Sequence, residues 1–207
     1  MMQERLIIFT RYPEPGKTKT RLIPALGADK AATLQRQMTE YTLDRVRQLQ
    51  HQRPTTVEVR FAGGDLNLMK SWLGFDLVYQ PQGEGDLGTR MGRSLAVAFQ
   101  DGIDRAVIIG TDCPGLNAEL MTLAFEVQLS HDLVLGPALD GGYYLLGLRY
   151  FIPELFIGIN WGTSEVLQQT VNIAKKLNLC IAYLPQLADV DRPEDLHIWE
   201  QILGARG

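Results

Sequence analysis

Four cations crowd the short stretch Thr10-Arg11-Tyr12-Pro13-Glu14-Pro15-Gly16-Lys17-Thr18-Lys19-Thr20-Arg21-Leu22, in a chain whose formal net charge is -4. The stretch follows the apolar run Leu6 to Phe9. It is therefore expected to form the loop at the carboxyl end of a first strand, where ligands collect in open α/β sheets. Arg11, Lys19 and Arg21 can give charge-assisted hydrogen bonds to phosphate oxygens, worth about 1.5 to 3 kcal/mol each, and Gly16 belongs to the same nucleotide-binding set. Gly16-Lys17-Thr18 imitates the end of a P-loop, but that motif needs glycine where the chain has Arg11. The competing reading is a solvated basic loop.

Acidic residues supply the other half of the chemistry. Ala106-Val107-Ile108-Ile109-Gly110-Thr111-Asp112-Cys113 puts a carboxylate at the tip of an expected central strand. Mg²⁺ or Mn²⁺ takes oxygen ligands, often one or two carboxylates together with substrate phosphates. In Asp189-Val190-Asp191 both carboxylates fall on one side if the segment is extended, so Asp112, Asp189 and Asp191 are the expected metal ligands. Asp191 has an alternative role in a capping box over Asp191-Arg192-Pro193-Glu194. Asp140-Gly141-Gly142 reads either as a turn or as a place where an acceptor approaches the backbone, with Asp140 binding its hydroxyl or acting as general base. Gly83-Glu84-Gly85-Asp86-Leu87-Gly88 satisfies GxGxxG, yet Pro81 and Gln82 separate it from its strand and two strand candidates come earlier. It reads as a plain turn, a surface against a base or ribose, or a dinucleotide site. His51, His131 and His197 have no nucleophile at motif spacing and Cys113 has no evident His partner, which argues against a Ser or Cys hydrolase.

These residues need a frame, and the chain provides one. Strand-like runs occur at Leu6 to Phe9, Val57 to Phe61, Leu77 to Tyr79, Ala106 to Ile109, Leu133 to Leu135, Tyr143 to Leu148 and Cys180 to Leu184. Helical periodicity fills 28–51, 65–73, 88–101, 117–129, 163–177 and 194–203. The alternation predicts an α/β fold, a mostly parallel sheet with helices on both faces. Leu133 to Leu146 is expected to be antiparallel, because Pro137 and the Gly141-Gly142 pair join two runs with no helix between them. Asn117 and Thr163 or Ser164 are the expected helix starts. With 207 residues, no repeat and no linker-like tract, one domain over 1–207 is expected. The acidic balance argues against nucleic-acid or anionic-membrane partners. The two cysteines, Cys113 and Cys180, together with the lack of a long apolar segment, lead to the expectation of a cytoplasmic protein.

Six ordered blocks carry a resemblance: Arg11 to Leu22, Gly85-Asp86-Leu87-Gly88 with Arg90-Met91, Gly110-Thr111-Asp112-Cys113-Pro114, Gly136-Pro137 with Asp140-Gly141-Gly142-Tyr143, Trp161-Gly162-Thr163, and Asp189-Val190-Asp191. The chain resembles the glycosyltransferase-A-like proteins of the nucleotide-diphospho-sugar transferase superfamily. Within it, the chain is most similar to the bacterial arsenosugar-biosynthesis or radical-SAM/selenodomain-associated glycosyltransferases, formerly a domain of unknown function. The resemblance implies a Rossmann-like mixed sheet and metal-dependent chemistry on a nucleotide or nucleotide-sugar donor with a small-molecule acceptor. It implies that Gly85, Asp86 and Gly88 abut the nucleotide and that Gly141, Gly142, Tyr143 and Trp161 line the acceptor. Glycosyltransferases of this fold usually show a DxD motif, whereas Thr111-Asp112-Cys113 offers one carboxylate. Glycosyl transfer, nucleotidyl transfer with release of pyrophosphate, and nucleotide binding without catalysis therefore all stay open.

Overall fold

The computed structural model describes residues 2–204. The apolar runs become β1 (Glu4–Arg11), β2 (Thr56–Ala62), β3 (Val78–Pro81), β4 (Arg105–Ile109), β5 (Leu133–Pro137), β6 (Tyr143–Leu148) and β7 (Ile181–Tyr183). A short helix that no periodic stretch predicts, α1 (Ile23–Leu26), comes first, and the six periodic stretches become α2 (Ala28–Gln52), α3 (Leu66–Leu73), α4 (Leu87–Gln100), α5 (Ala118–Val127), α6 (Val166–Lys176) and α7 (Leu196–Gly204). The strands form one seven-stranded sheet in the order β3-β2-β1-β4-β6-β5-β7. Only β6 opposes its neighbours, running antiparallel to β4 and β5, as the helix-free junction before it predicts. Every residue of β4 is buried, the signature of a strand paired on both edges and covered on both faces.

Period-2 alternation sorts the β1 side chains between two cores. Leu6 and Ile8 join α2, α3 and α5 residues such as Val46, Met69 and Phe125 on one face. Ile7 and Phe9 meet Leu95 of α4 and Ala174 of α6 on the other. Each fully buried Leu, Ile or Phe contributes about 1.5 to 3 kcal/mol, so the sheet is a firm platform for the loops at its carboxyl ends. A third cluster matters more for those loops. Leu22, Leu34, Met38, Val190 and Trp199 pack together, tying the end of the basic loop and the Asp189–Asp191 segment to α2 and α7.

Two of the expected helix starts change. Asn117 caps α5 as expected, its Oδ1 accepting from Leu120 N at 2.9 Å. α6 begins after Glu165 without a side-chain cap on that residue; Thr163 lies in the turn before it, its Oγ1 donating to Asn160 O at 2.8 Å and accepting from Glu165 N at 3.3 Å. The box expected over Asp191–Glu194 is made by Asp195, whose Oδ2 accepts from Asp191 N at 3.1 Å and Arg192 N at 2.7 Å. That one-residue offset leaves the Asp191 carboxylate free for another partner. Among the described residues no helix is long and apolar enough to cross a membrane.

Candidate functional site

β1 and β4 are adjacent and parallel, so the loops at their carboxyl ends emerge side by side. Lys19, on the first loop, is the junction. Its Nζ donates to Asp112 Oδ1 and to the carbonyl of Val190, each at 2.6 Å. Asp112 O in turn accepts from Val190 N at 2.9 Å. Three segments distant in sequence are thus pinned at one ammonium group. The Lys19 side chain is 3% exposed and that of Asp112 is 53% exposed, so the cation is sealed in while the carboxylate faces outward. Lys19 adopts φ 48°, left-handed backbone that costs a lysine about 1 to 2 kcal/mol. Such strain persists only where surrounding contacts over-determine it.

The other cations of the loop divide in a way the sequence does not reveal. Arg21 Nη1 donates to Asp191 Oδ2 at 2.5 Å, and Lys17 pairs with Glu14 at 2.7 Å in the open. Arg11 is exposed at the end of β1 and has no ion pair among the described residues. Lys19, expected to grip a phosphate, is instead spent on Asp112 and Val190. Gly16 lies at the loop's crest with φ 80° and open space where a Cβ would stand.

The acids gather but do not form a ready-made metal shell. Among the described residues no group of three His, Cys, Asp or Glu could hold an ion, so the expected triad of Asp112, Asp189 and Asp191 is not assembled as such. The physical reason is charge pairing, since Asp112 and Asp191 each turn to a cation of the basic loop. They remain close enough to act on one another. Burial, then the charges of Asp112, Asp189 and Asp140, push the Cys113 thiol far up. Burial, then the charge of Asp140, raises the Asp189 carboxyl above the ordinary range. Asp189 has no ion pair among the described residues. Five carboxylates, those of Asp112, Asp140, Asp189, Asp191 and Asp195, therefore gather around Lys19 and Arg21 at this end of the sheet, with Arg11 exposed at the end of β1.

Asp140-Gly141-Gly142 is a turn in which Asp140 Oδ1 accepts from Gly142 N at 2.8 Å. Gly141 O accepts from Leu167 N at 2.9 Å, which fastens the turn to α6. Tyr143, expected beside the acceptor, packs against the α4 and α6 core and meets Trp161 edge-on at 6.5 Å between ring centroids. Trp161 itself lies against Gly88, where an added Cβ would stand 2.4 Å from three atoms of the indole. The glycine loop and the Trp161 loop are thus in contact. Gly88→Ala is expected to push the indole aside at a cost of about 1 to 3 kcal/mol. Urea melts would show the loss, and Trp161 emission, isolated by difference against Trp161→Phe, would shift; unchanged emission would contradict the contact.

Asp86, expected at the nucleotide, caps α4. Its Oδ1 accepts from Thr89 N at 2.7 Å, and that bond holds its carboxyl below the usual range. Gly85 sits at φ 104° beside the Thr89 side chain. Sequence reasoning missed what shapes this loop. Arg93 donates to the carbonyls of Gln82 and Glu84, both at 2.8 Å, and Arg90 Nε donates to Gly85 O at 2.8 Å. Buried Gln82 reaches from the loop to β1 and β2, its Nε2 donating to Thr10 O at 3.0 Å and Arg60 O at 3.1 Å. Two arginines one turn apart on a helix that opens from a glycine loop are the signal that could have found them. A further missed residue, Gln35 on α2, lies beneath the basic loop as a polar break in an apolar helix face.

Comparison with known proteins adds a family. The family model described as "Uncharacterized protein conserved in bacteria (DUF2064)" matches residues 42–163. A protein of Desulfovibrio desulfuricans G20, provisionally assigned as a nucleotide-diphospho-sugar transferase, is 38% identical, with a TM-score of 0.86 over 93% of this chain and 84% of that one. The 4-diphosphocytidyl-2C-methyl-D-erythritol synthase of Anaerococcus prevotii DSM 20548 is 11% identical, with a TM-score of 0.64 over 98% and 96% of the two chains. Glucosyl-3-phosphoglycerate synthase of Mycobacterium tuberculosis, in complex with Mn²⁺, uridine diphosphate and phosphoglyceric acid, is 15% identical, with a TM-score of 0.55 over 94% and 72%. At such identities the last two share the fold alone. No functionally curated protein matches the chain.

Proposed function

The chain belongs to the bacterial DUF2064 family, and from that premise we propose that it is a metal-dependent transferase acting on a nucleotide-activated donor, first of all a glycosyltransferase moving a sugar to a small acceptor. One observation carries the reading: the basic loop after β1 and the acids after β4 and β7 close on each other through Lys19 and Arg21. A nucleotide's phosphates laid over this junction would meet Arg11, whose charge is unspent, and Arg21, whose exposed guanidinium can trade Asp191 for a phosphate oxygen. Exposed Gly85 would lie under the base or ribose, while Gly88, buried against the Trp161 indole, would back the loop rather than touch the donor. Asp140 uses one oxygen in its turn and has the other free to orient or deprotonate an acceptor hydroxyl.

Charge balance supports a divalent cation. Five carboxylates face three cations before a diphosphate arrives, so the bare site would repel its donor. Asp189, penalised in its charged form by burial and by Asp140, is the kind of group a cation stabilises. Asp112 and Asp189 would hold Mg²⁺ or Mn²⁺, with the remaining positions left to phosphates and water. Such an ion supplies charge neutralisation for the departing group.

In glycosyl transfer the acceptor oxygen bonds to the anomeric carbon, the carbon–oxygen bond to the diphosphate breaks, and the acceptor proton passes to Asp140 or solvent. The second reading is nucleotidyl transfer, favoured by the single carboxylate in Thr111-Asp112-Cys113. There the acceptor attacks the α-phosphorus and pyrophosphate leaves. Nucleotide binding without turnover is the third.

The test is a melting-temperature screen with UDP-glucose, UDP and CTP, with and without MnCl₂, followed by product assays. A ligand at a hundredfold excess over Kd stabilises by about 2.7 kcal/mol, or roughly 5 to 10 °C for a chain of this size. A rise that requires Mn²⁺ is expected. Nucleoside diphosphate release marks the first reading and pyrophosphate release the second. No rise with any of the three nucleotides would overturn the proposal.

A further inference from the structure

Lys19 and Asp112 stand on loops that have no covalent reason to meet, and beneath both lies a fully buried polar knot. Gln35, Thr10, Thr18, Thr39 and Thr111 are none of them more than 5% exposed. Thr18 Oγ1 donates to Gln35 Oε1 at 3.3 Å. Gln35 Nε2 donates to Thr39 Oγ1 at 3.1 Å and lies 3.4 Å from the hydroxyl oxygens of Thr10 and of Thr111. Thr10 and Thr39 are joined at 2.9 Å. One amide thus touches the end of β1, the residue before Lys19 and the residue before Asp112.

We propose that Gln35 is the positioning residue that sets the Lys19–Asp112 pair, and through it the mouth of the donor site. The amide is bifunctional, and the two loops use its different ends: the basic loop gives a hydrogen to Oε1, and the acidic loop takes one from Nε2. An apolar side chain of the same length could fill the space but could do neither, and four hydroxyls would be left to rearrange in a place water does not reach. The adjacency constrains Lys19 directly, because Thr18 fixes the backbone just before the left-handed turn. That this pair matters for transfer rests on the proposed function; that Gln35 holds the pair does not.

The experiment uses the full chain labelled with nitrogen-15 at lysine. A buried ammonium held by a carboxylate and a carbonyl protects its protons from exchange, so Lys19 Nζ is expected to give a cross-peak, assigned by its loss in Lys19→Met. Gln35→Met is expected to abolish or displace it. Val46→Ala, on the same helix but in the core under β1 and β2, is expected to keep it at wild-type position. Thr18→Val and Thr111→Val each cut one link and should displace it less, which keeps the test decisive if Gln35→Met folds poorly. In parallel, UDP titrated calorimetrically with Mn²⁺ should bind Gln35→Met at least about tenfold more weakly and Val46→Ala normally. An unmoved cross-peak in Gln35→Met, an equal displacement in Val46→Ala, or no protected Lys19 signal in the unaltered chain overturns the inference. Failure of the unaltered chain to bind UDP bears on the nucleotide reading alone, and the cross-peak still judges Gln35.

Discussion

Asp112→Asn is expected to lower metal-dependent transfer by about a hundredfold or more while leaving the chain folded. Removal of one anionic ligand deprives the ion of the charge that fixes it at the phosphates, and ions held by a single remaining carboxylate are weakly placed. The amide still offers an oxygen to Lys19 Nζ, now 2.6 Å from Asp112 Oδ1, so the ammonium keeps both acceptors. Asp112→Ala separates the two effects. It leaves a buried ammonium with the Val190 carbonyl alone, and the cost should be about 1 to 3 kcal/mol, below the 3 to 5 kcal/mol typical of a broken, fully buried pair because water reaches the Asp112 side. Urea melts and titration of UDP with and without Mn²⁺ measure the two quantities on the same samples. Undiminished Mn²⁺-dependent binding in Asp112→Asn would remove this carboxylate from the mechanism.

The ease with which the frame is read from the sequence, and the difficulty of reading the site, have one physical origin. Strands and helices are set by periodicities of two and about 3.6 residues, so Leu6–Phe9, Ala106–Ile109 and the long run 28–51 declare themselves locally. Even the one antiparallel strand is legible, because a Pro and a Gly pair leave no room for a crossover helix. Pairings between side chains obey no period. Lys19 and Asp112 are 93 residues apart and Arg21 and Asp191 are 170 apart, and nothing local marks a lysine as a partner for an acid rather than for a phosphate. Asp191 shows the same limit at short range: the capping pattern is present, but Asp195 performs it, and one residue of offset decides which carboxylate faces the site. Gln35 does leave a trace. Gln35, Thr39 and Thr42 are buried on an otherwise apolar face of α2, and a buried polar row at helical spacing signals that something polar must lie opposite it.

The two glycines after Asp140 are expected to respond very differently to the same added methyl group. Gly141 has φ +88°, and a Cβ there would stand 2.2 Å from the carbonyl oxygen of Ser164 and 2.7 Å from that residue's backbone carbons. Neither the backbone conformation nor the clash can be relieved by a rotamer change. Gly141→Ala should therefore cost about 3 kcal/mol or more, lowering the melting temperature by roughly 6 to 12 °C. It would also tear the turn from the start of α6, where Leu167 N donates to Gly141 O. Gly142 has no positive φ, and the nearest atom to its added Cβ is Asp140 Oδ1 at 3.1 Å, the end of a side chain that can yield. Gly142→Ala should cost less than about 1 kcal/mol. The contrast decides what the motif is for. If it is only a turn, activity in Gly142→Ala will follow the folded fraction and stay near wild type. If an acceptor comes down onto this backbone beside Asp140, the methyl group occupies its place, and KM for the acceptor will rise about tenfold or more in a protein that melts almost normally, since a misplacement of about 1 Å at a reacting centre has effects of that order.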